Sequence, residues 1–240
     1  MINLALIGYG KMGKMIESIT EPEDFNVVGI YDIANPPIDH LKYKPDVVIE
    51  FTEPRSVIDN IKFLAEKKIN IVCGTTGWYD KIDEVKEIIV KSGIGFIYAS
   101  NFSVGVNLFF RVVNYAAKLI DNYPQYGISV DETHHTQKLD KPSGTAIRIA
   151  EYLLNNIGRK DKYVSDSKNP STNEINIVSH RIENVVGNHK VIFDSVADTI
   201  TLEHNAKSRR GFAEGALLAA KFIHNKKGFY KFEDIFNNLS

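Results

Sequence analysis

The chain has 240 residues, of which 43% are hydrophobic and 25% are charged, as in an ordinary folded globular protein. Its formal net charge is −1, so no overall positive field would draw it to nucleic acid or to a membrane surface. The only cysteine, Cys73, excludes an internal disulfide framework and a multi-cysteine zinc site. We expect it to be buried in its apolar run. No signal peptide or membrane span is predicted, and a cytoplasmic location is expected.

Short apolar runs alternate with helical patterns in the first hundred residues. The predicted strands are residues 2–7, 25–31, 46–51, 70–73 and 95–99. The predicted helices between them are residues 12–19, 55–67 and 81–91. Strands that are apolar throughout, in a repeating β-α order, predict an α/β fold with a Rossmann-like, doubly wound parallel sheet.

The pattern changes after residue 101. Helices are predicted at residues 104–120, 143–156 and 212–223, and a loop at 160–173. Strands with interleaved polar and apolar residues are predicted at 126–133, 176–181, 189–195 and 198–206. Such strands indicate a second α+β domain built on a mixed sheet. The predicted domains are residues 1–102, completed by 209–240, and residues 103–208 between them.

A glycine loop follows the first predicted strand and opens the first predicted helix. Its G-x-G-x-x-G pattern consists of Gly8, Tyr9, Gly10, Lys11, Met12 and Gly13. In this context the glycines allow a dinucleotide pyrophosphate to approach the N–H groups at the helix start. The alternative interpretation is an ordinary glycine turn. Asp32, at the end of the second strand, favours nucleotide binding because it can bond ribose hydroxyls.

Asp32 also bears on the choice of cofactor. Its carboxylate repels a 2′-phosphate, and the next three residues, Ile33, Ala34 and Asn35, include no cation. This favours NADH over NADPH. Lys11 is within reach of a phosphate, so use of NADPH stays open.

Three further strand ends carry small polar residues where a doubly wound sheet binds its ligands. We predict that they complete the cofactor site. They are Phe51 and Thr52, then Gly74, Thr75 and Thr76, then Ala99, Ser100, Asn101 and Phe102. Ordinary turn chemistry is the alternative explanation for each of them.

Two histidines and a lysine lie within five residues of one another. His134, His135 and Lys138 are side chains suited to proton transfer near neutral pH. Two adjacent histidines also suggest a metal site, with Asp131 or Glu132 as a third ligand. No H-E-x-x-H spacing or cysteine pair supports it, so no metal is predicted.

The sequence Pro142-Ser143-Gly144-Thr145 opens the next predicted helix. Ser143 is placed to cap it, and the same helix start can hold a carboxylate. The cations Arg181, Lys207, Arg209 and Arg210 are interpreted as isolated surface charges.

Taken together, these motifs resemble the 4-hydroxy-tetrahydrodipicolinate reductase family along nearly the whole chain. The most specific segment is residues 132–145, which contain H-H-x-x-K-x-D-x-P-S-G-T. Further matching segments are residues 46–52 (DVVIEFT), 74–77 (GTTG), 99–106 (ASNFSVGV), 186–189 (VGNH), 208–216 (SRRGFAEGA) and 228–230 (GFY).

The resemblance implies hydride reduction of a cyclic imine dicarboxylate in diaminopimelate and lysine biosynthesis. It implies that His134 and Lys138 manage protons, while His135, Ser143, Gly144 and Thr145 bind the substrate. It also implies a homotetramer formed through the sheet of the substrate domain, and hinge closure between the domains.

Two departures from the family pattern stand out. Ile33 occupies a position where many members carry an arginine that accepts NADPH, which again favours NADH. Ile182, Glu183 and Asn184 replace a small residue and glycine after Arg181. The rival interpretations are another amino-acid-pathway dehydrogenase, of an aspartate or homoserine type, and a catalytically idle nucleotide-sensing protein.

Overall fold

The computed structural model describes residues 1–36 and 43–237. The last three residues of the predicted segment 209–240 therefore lie outside the described part. The chain divides into two compact units. The first contains Met1–Val104 and Arg209–Ser240, and the second contains Gly105–Ser208.

The first unit is built on a six-stranded sheet in which all strands are parallel. Its strands are β1 (Ile2–Ile7), β2 (Phe25–Tyr31), β3 (Val47–Glu50), β4 (Asn70–Cys73), β5 (Gly95–Tyr98) and, from the end of the chain, β11 (Gly228–Lys231). Their order across the sheet is β11-β5-β4-β3-β1-β2. The neighbouring strands β1 and β3 are followed by helices on opposite faces of the sheet, so a crevice opens between the loops at their carboxyl ends.

Helices cover both faces of this sheet. They are α1 (Lys11–Ser18), α2 (Val57–Glu66), α3 (Ile82–Ser92) and α6 (Arg210–Ile223), and two short 3₁₀ helices lie at Tyr79–Lys81 and Phe232–Phe236. One face packs on α2 and α3, and the other packs on α1 and α6. In α6, alanines and Gly215 allow close approach, since a Cβ at position 215 would lie 1.7 Å from the carbonyl oxygen of Phe102.

The five strands predicted in this unit all form, with ends that differ by at most one residue from the prediction. Cys73 is fully buried, as expected. The sixth strand, β11, was not predicted, because four residues at the edge of a sheet leave no periodic pattern.

The second unit contains a five-stranded mixed sheet. Its strands are β6 (Gly127–His134), β7 (Lys162–Ser165), β8 (Glu174–Arg181), β9 (Gly187–Asp194) and β10 (Thr199–Ala206), in the order β10-β9-β6-β8-β7. The pairs β6–β8 and β7–β8 are parallel, and the pairs β6–β9 and β9–β10 are antiparallel. The helices α4 (Val104–Ile120) and α5 (Gly144–Leu154) share an apolar core with the inward side chains of this sheet.

The prediction of a loop over residues 160–173 was wrong, because β7 lies inside it. This strand pairs on one side only, with β8, and its side chains are mostly exposed. An edge strand of this kind carries no apolar alternation that the sequence could reveal. Within the described parts of the chain, no helix is long and apolar enough to cross a membrane.

Candidate functional site

A cleft of about 390 Å³ lies at the carboxyl ends of the central strands in the first unit. Its walls come from the loops after β1, β3 and β4. The lining residues are Gly10, Lys11, Met12, Phe51, Thr52, Pro54, Gly74, Thr75 and Thr76. The structure therefore brings together three of the predicted strand ends. Pro54 was not predicted, and only its place two residues after Thr52 in the chain could have suggested it.

The glycine loop has the shape that its sequence suggested. Gly8 has φ +94°, and a Cβ there would lie 2.0 Å from the carbonyl oxygen of Phe51. A Cβ at Gly13 would lie 2.3 Å from the carbonyl oxygen of Gly8, so α1 packs closely against the loop. A Cβ at Gly10 would meet nothing within 4 Å, which leaves open space beside the backbone that lines the cleft. This open cradle fits an approaching pyrophosphate group.

Asp32 is exposed at the end of β2 and organises the turn that follows. Its Oδ1 accepts hydrogen bonds from the backbone N–H groups of Ala34 (2.9 Å) and Asn35 (3.0 Å). Ile33 points into solvent, with 93% of its surface exposed. Asp32 does not line the cleft.

A buried carboxyl group next to the cleft was not predicted from the sequence. Glu50 is fully buried at the end of β3 and accepts hydrogen bonds from the Thr52 hydroxyl and the Asn60 amide. Burial raises its pKa, although these hydrogen bonds oppose the rise. The backbone N–H of Thr52 donates to the Thr75 hydroxyl at 2.7 Å, which ties the two loops together. Glu50 could have been predicted, because it is an acidic residue within an otherwise apolar strand.

The fourth predicted strand end, residues 99–102, does not line this cleft. The ring of Phe102 is buried and packs against the rings of Phe51 and Phe232, with centroids 6.0 and 4.9 Å away. The side chain of Asn101 accepts a hydrogen bond from the backbone N–H of Ser103 at 2.8 Å. The side chain of Phe102 therefore belongs to the core.

In the second unit, the inward positions at one end of the sheet carry polar side chains in place of apolar ones. Glu132 on β6 pairs in register with Ser179 on β8 and with His189 on β9. All three are buried, and His134 is the next inward residue on β6. Polar residues at inward positions of three adjacent strands were a signal of a site that could have been found in the sequence.

The carboxylate of Glu132 is fully buried and bound from several sides. Its Oε1 accepts from the backbone N–H of Ser143 at 3.0 Å and from Nη2 of Arg181 at 3.3 Å. Its Oε2 lies 3.2 Å from Nδ1 of His134. Burial by itself would raise the pKa of Glu132, but its contacts with His134 and Ser143 outweigh burial and hold the pKa well below its usual range. Glu132 is therefore ionised at neutral pH.

His189 lies beside His134 in this cluster. Their rings meet edge to face, with centroids 5.0 Å apart. Burial lowers the pKa of His189 to about 3, assisted by the nearby His134. His189 is therefore neutral at physiological pH, and its Nε2 lies 3.3 Å from the hydroxyl of Ser143.

The loop that carries Lys138 is fastened to the same cluster by Arg181. The Arg181 guanidinium donates to the backbone carbonyls of Lys138 and Asp140 while it pairs with Glu132. The prediction that Arg181 is an isolated surface charge was therefore wrong. By contrast, Lys207, Arg209 and Arg210 are exposed, and Arg210 pairs with Glu214 on the surface.

Lys138 itself forms an ion pair with Asp140, with 2.8 Å between Nζ and Oδ1. Partial burial would raise the pKa of Asp140, but the contact with Lys138 lowers it. The Lys138 side chain is 25% exposed, so it can be reached from solvent. His135, three residues earlier, is half-buried, and its buried Nδ1 has no hydrogen-bond partner among the described residues.

Ser143 is the N-cap of α5, as predicted. Its hydroxyl accepts from the backbone N–H of Ala146 at 3.2 Å, and its own backbone N–H binds Glu132. Ser143 is only 2% exposed, whereas Gly144 is exposed at the first position of the helix. Gly144 thus lies in the exposed first turn of the helix, and N–H groups in a first turn lack a carbonyl partner within the helix.

The turn that departs from the family pattern, residues 182–184, joins β8 to β9. Asn184 has φ +65°, a left-handed conformation that glycine adopts most easily and asparagine tolerates better than other residues. The N–H of Ile182 donates to the carbonyl of His134 at 2.8 Å. Asn184 thus provides the left-handed turn conformation without a glycine.

Within the described residues, Glu132, His134 and His189 form the one group whose ligand atoms could surround a metal ion, all within 4.8 Å of one another. The guanidinium of Arg181 already supplies positive charge to the same carboxylate. A second cation there would be repelled by it, which favours a network of hydrogen bonds and ion pairs.

Comparison with known proteins identifies the family of this chain. Family models described as the N-terminus and the C-terminus of dihydrodipicolinate reductase match residues 2–102 and 105–236. The chain belongs to the dihydrodipicolinate reductase family. A 4-hydroxy-tetrahydrodipicolinate reductase from Christiangramia forsetii is 39% identical over 238 residues, which are 99% of each chain. One from Methanococcus aeolicus is 34% identical over 273 aligned positions, again covering 99% of each chain.

A solved structure shares the fold. Dipicolinate-bound dihydrodipicolinate reductase from Paenisporosarcina sp. TG-14 superposes with a TM-score of 0.78 at 24% identity, over 98% of this chain and 99% of that one. Membership in the dihydrodipicolinate reductase family makes the chain an NAD(P)H-dependent oxidoreductase of diaminopimelate and lysine biosynthesis, with a nicotinamide cofactor. Of the interpretations that the sequence left open, this finding selects the reductase.

Proposed function

We propose that this chain reduces 4-hydroxy-tetrahydrodipicolinate to tetrahydrodipicolinate, with proton transfer carried out by His134 and Lys138. The observation that carries this proposal is the cluster at the end of the mixed sheet. There His134, its carboxylate partner Glu132 and the fastened Lys138 loop lie together within the segment most typical of the family. We assign cofactor binding to the first unit and substrate binding to the second.

The cofactor is held by the cleft of the first unit. The glycine loop, Gly8 to Gly13, receives the pyrophosphate, and the loops at Phe51–Thr52 and Gly74–Thr76 line the cleft beside it. Residues 99–102 follow the neighbouring strand β5 and complete the nicotinamide side. The bound nicotinamide supplies a hydride.

NADH is the preferred cofactor in this proposal. One oxygen of Asp32 is occupied by its own turn, and its charge remains at the position where a 2′-phosphate would sit. Ile33 offers no compensating cation. Lys11 lines the edge of the cleft within reach of a 2′-phosphate, so NADPH is a secondary cofactor in this proposal.

The dianionic substrate is held by the start of α5 and by nearby cations. Gly144 and Thr145 occupy the helix start, where N–H groups and the helix dipole favour a carboxylate. Ser143 contributes indirectly, because its hydroxyl and its N–H already bind within the protein and so fix this helix start. His135 lies in the loop before it and contacts the substrate.

Proton transfer is divided between two side chains. His134 exchanges a proton with the reacting substrate. Lys138 is bound to Asp140 in this structure, and a substrate carboxylate competes for the same ammonium group. The lysine then provides both electrostatic attraction and a proton for the reduced ring.

The test is an assay of NADH consumption coupled to the product of dihydrodipicolinate synthase. We expect turnover by the wild type and a large loss in Lys138→Ala and in His134→Ala. Lys141→Ala is a matched control, since Lys141 is a nearby lysine whose ammonium pairs with Asp166. The proposal is wrong if the wild type shows no turnover, or if the His134→Ala and Lys138→Ala double variant is as fast as the wild type.

The remaining family properties are proposed on the same basis. We propose a homotetramer in the cytoplasm, formed through the sheet of the second unit. Sedimentation equilibrium tests the oligomer directly, and a monomeric protein would contradict it.

A further inference from the structure

We propose that Glu132 is a positioning residue for His134: it holds Nδ1 and so presents Nε2 as the nitrogen that exchanges the proton. This inference rests on the proposed role of His134 in the reduction. Neither the sequence motifs nor the comparisons give Glu132 a part in proton transfer.

The first argument is the contact itself. Oε2 of Glu132 lies 3.2 Å from Nδ1 of His134, and both side chains are buried. Among the described residues neither atom forms a hydrogen bond of good geometry, and the contact with His134 is the strongest of those that lower the pKa of Glu132. Since a buried donor and a buried acceptor without partners are costly, we infer that these two atoms serve each other.

The second argument is that the carboxylate cannot turn. Its other oxygen, Oε1, is bound by the backbone N–H of Ser143 and by the guanidinium of Arg181. Both of these groups are donors, so Oε1 must remain an oxygen acceptor. This leaves Oε2, an acceptor without a proton, facing Nδ1, and the neutral ring must then carry its proton on Nδ1.

The third argument concerns the opposite side of the ring. Gly187 lies beside Nε2 of His134, and a Cβ at that position would lie 3.2 Å from this nitrogen. Glycine at 187 therefore keeps a side chain at this position away from the Nε2 edge. The same glycine begins β9, next to the outer end of β6.

The charges around His134 are consistent with this role. Glu132 and the neutral His189 lie within the sheet, Arg181 is on the opposite side of the carboxylate, and Lys138 is in the following loop. Because Arg181 balances Glu132, the carboxylate can stay ionised without a net buried charge. A positioned carboxylate of this kind fixes a histidine tautomer and orients its ring.

The variant Glu132→Gln tests the role with a minimal change in shape. Oxygen must remain at the Oε1 position to accept from Ser143 and Arg181, so the new amide nitrogen faces Nδ1. We expect the tautomer of His134 to reverse and kcat to fall on the order of tenfold to a hundredfold, with KM changing much less. The matched control is Asp131→Asn, which removes a carboxylate from the adjacent residue on the other face of β6 and should leave kcat unchanged.

A merely structural role for Glu132 predicts a different result. In that case the Glu132→Gln protein would show the same kcat as the control once the folded fraction is equal, and the inference would be overturned. The Glu132–Arg181 pair is buried, so the variant must be checked for folding by circular dichroism. Turnover by the wild type in the same assay separates a failure of this inference from a failure of the proposed function.

A second measurement needs no variant at this position. Histidine-selective ¹⁵N labelling of the wild type, with the His134 signal assigned by a His134→Gln protein, reports which ring nitrogen carries the proton. We expect a neutral His134 protonated on Nδ1. A neutral His134 protonated on Nε2 would overturn the inference, whether or not Glu132→Gln folds.

Discussion

The guanidinium of Arg181 lies 3.3 Å from the carboxylate of Glu132, across two neighbouring parallel strands. The same guanidinium binds the backbone carbonyls of Lys138 and Asp140. One side chain thus joins the buried carboxylate beside His134 to the loop that carries Lys138. The two groups proposed to handle protons are held by a common anchor.

Replacing Arg181 should therefore destabilise the fold. Arg181→Met leaves the Glu132 carboxylate buried without its cation, and we expect the free energy of unfolding to fall by about 3 kcal/mol. Arg55→Met is the matched control, because Arg55 is 92% exposed and pairs with Glu53 at 3.5 Å on the surface. Urea denaturation at neutral pH compares the two. Equal effects would show that the Arg181 pair contributes no more than an exposed one.

The stability of the second unit should depend on pH through His189. Its pKa is lowered to about 3 in the folded protein and is near 6.5 when unfolded. Between these values the unfolded chain binds one more proton, so stability is lost as the pH falls below about 6.5. From pH 7 to pH 5 this group alone should cost about 2 kcal/mol.

The variant His189→Asn removes the contribution of His189 to the pH dependence of stability, and it is compared directly with the wild type. Urea denaturation at pH 7 and pH 5 should show a smaller pH-dependent loss in the variant. His204, whose pKa burial also lowers, is present in both proteins and cancels in the difference. An identical loss in both proteins would mean that His189 is accessible to protons when folded.

A substitution at Gly10 tests cofactor binding in the cleft without disturbing the fold. Gly10→Ala adds a methyl group in open space that the pyrophosphate would otherwise occupy. We expect the Kd for NADH, measured by fluorescence titration, to rise at least about tenfold. The Tm should stay unchanged. The control is Gly158→Ala, which also adds a Cβ with no neighbour within 4 Å but lies in the second unit. Unchanged NADH binding in the Gly10 variant would place the cofactor elsewhere.

The charge of Asp32 can be removed without disturbing its turn. Asp32→Asn keeps an oxygen to accept from Ala34 and Asn35, so only the charge is lost. We expect the ratio of kcat/KM for NADPH to that for NADH to rise on the order of tenfold. Asp83→Asn, an exposed carboxylate in the first turn of α3, should leave the ratio unchanged. A ratio that does not move in Asp32→Asn would show that another group selects the cofactor.

The amino-acid sequence by itself determined the strands of the parallel sheet and the glycine loop. Strands buried on both faces must be apolar throughout, and a tight loop that packs under a helix must be glycine at fixed spacing, so both leave a local pattern. Ser143 as a helix cap follows from the same kind of local rule, since its hydroxyl serves N–H groups only three residues away.

The tertiary structure decided what lies around His134. The partners Glu132, Arg181 and His189 come from three strands, and no local pattern states that their ends meet. Edge strands β7 and β11 were missed for a related reason, because their pairing is specified by a neighbour rather than by their own periodicity. Sequence spacing places Glu132 and His134 on one face of β6, whereas the register between distant strands brings Arg181 and His189 beside them.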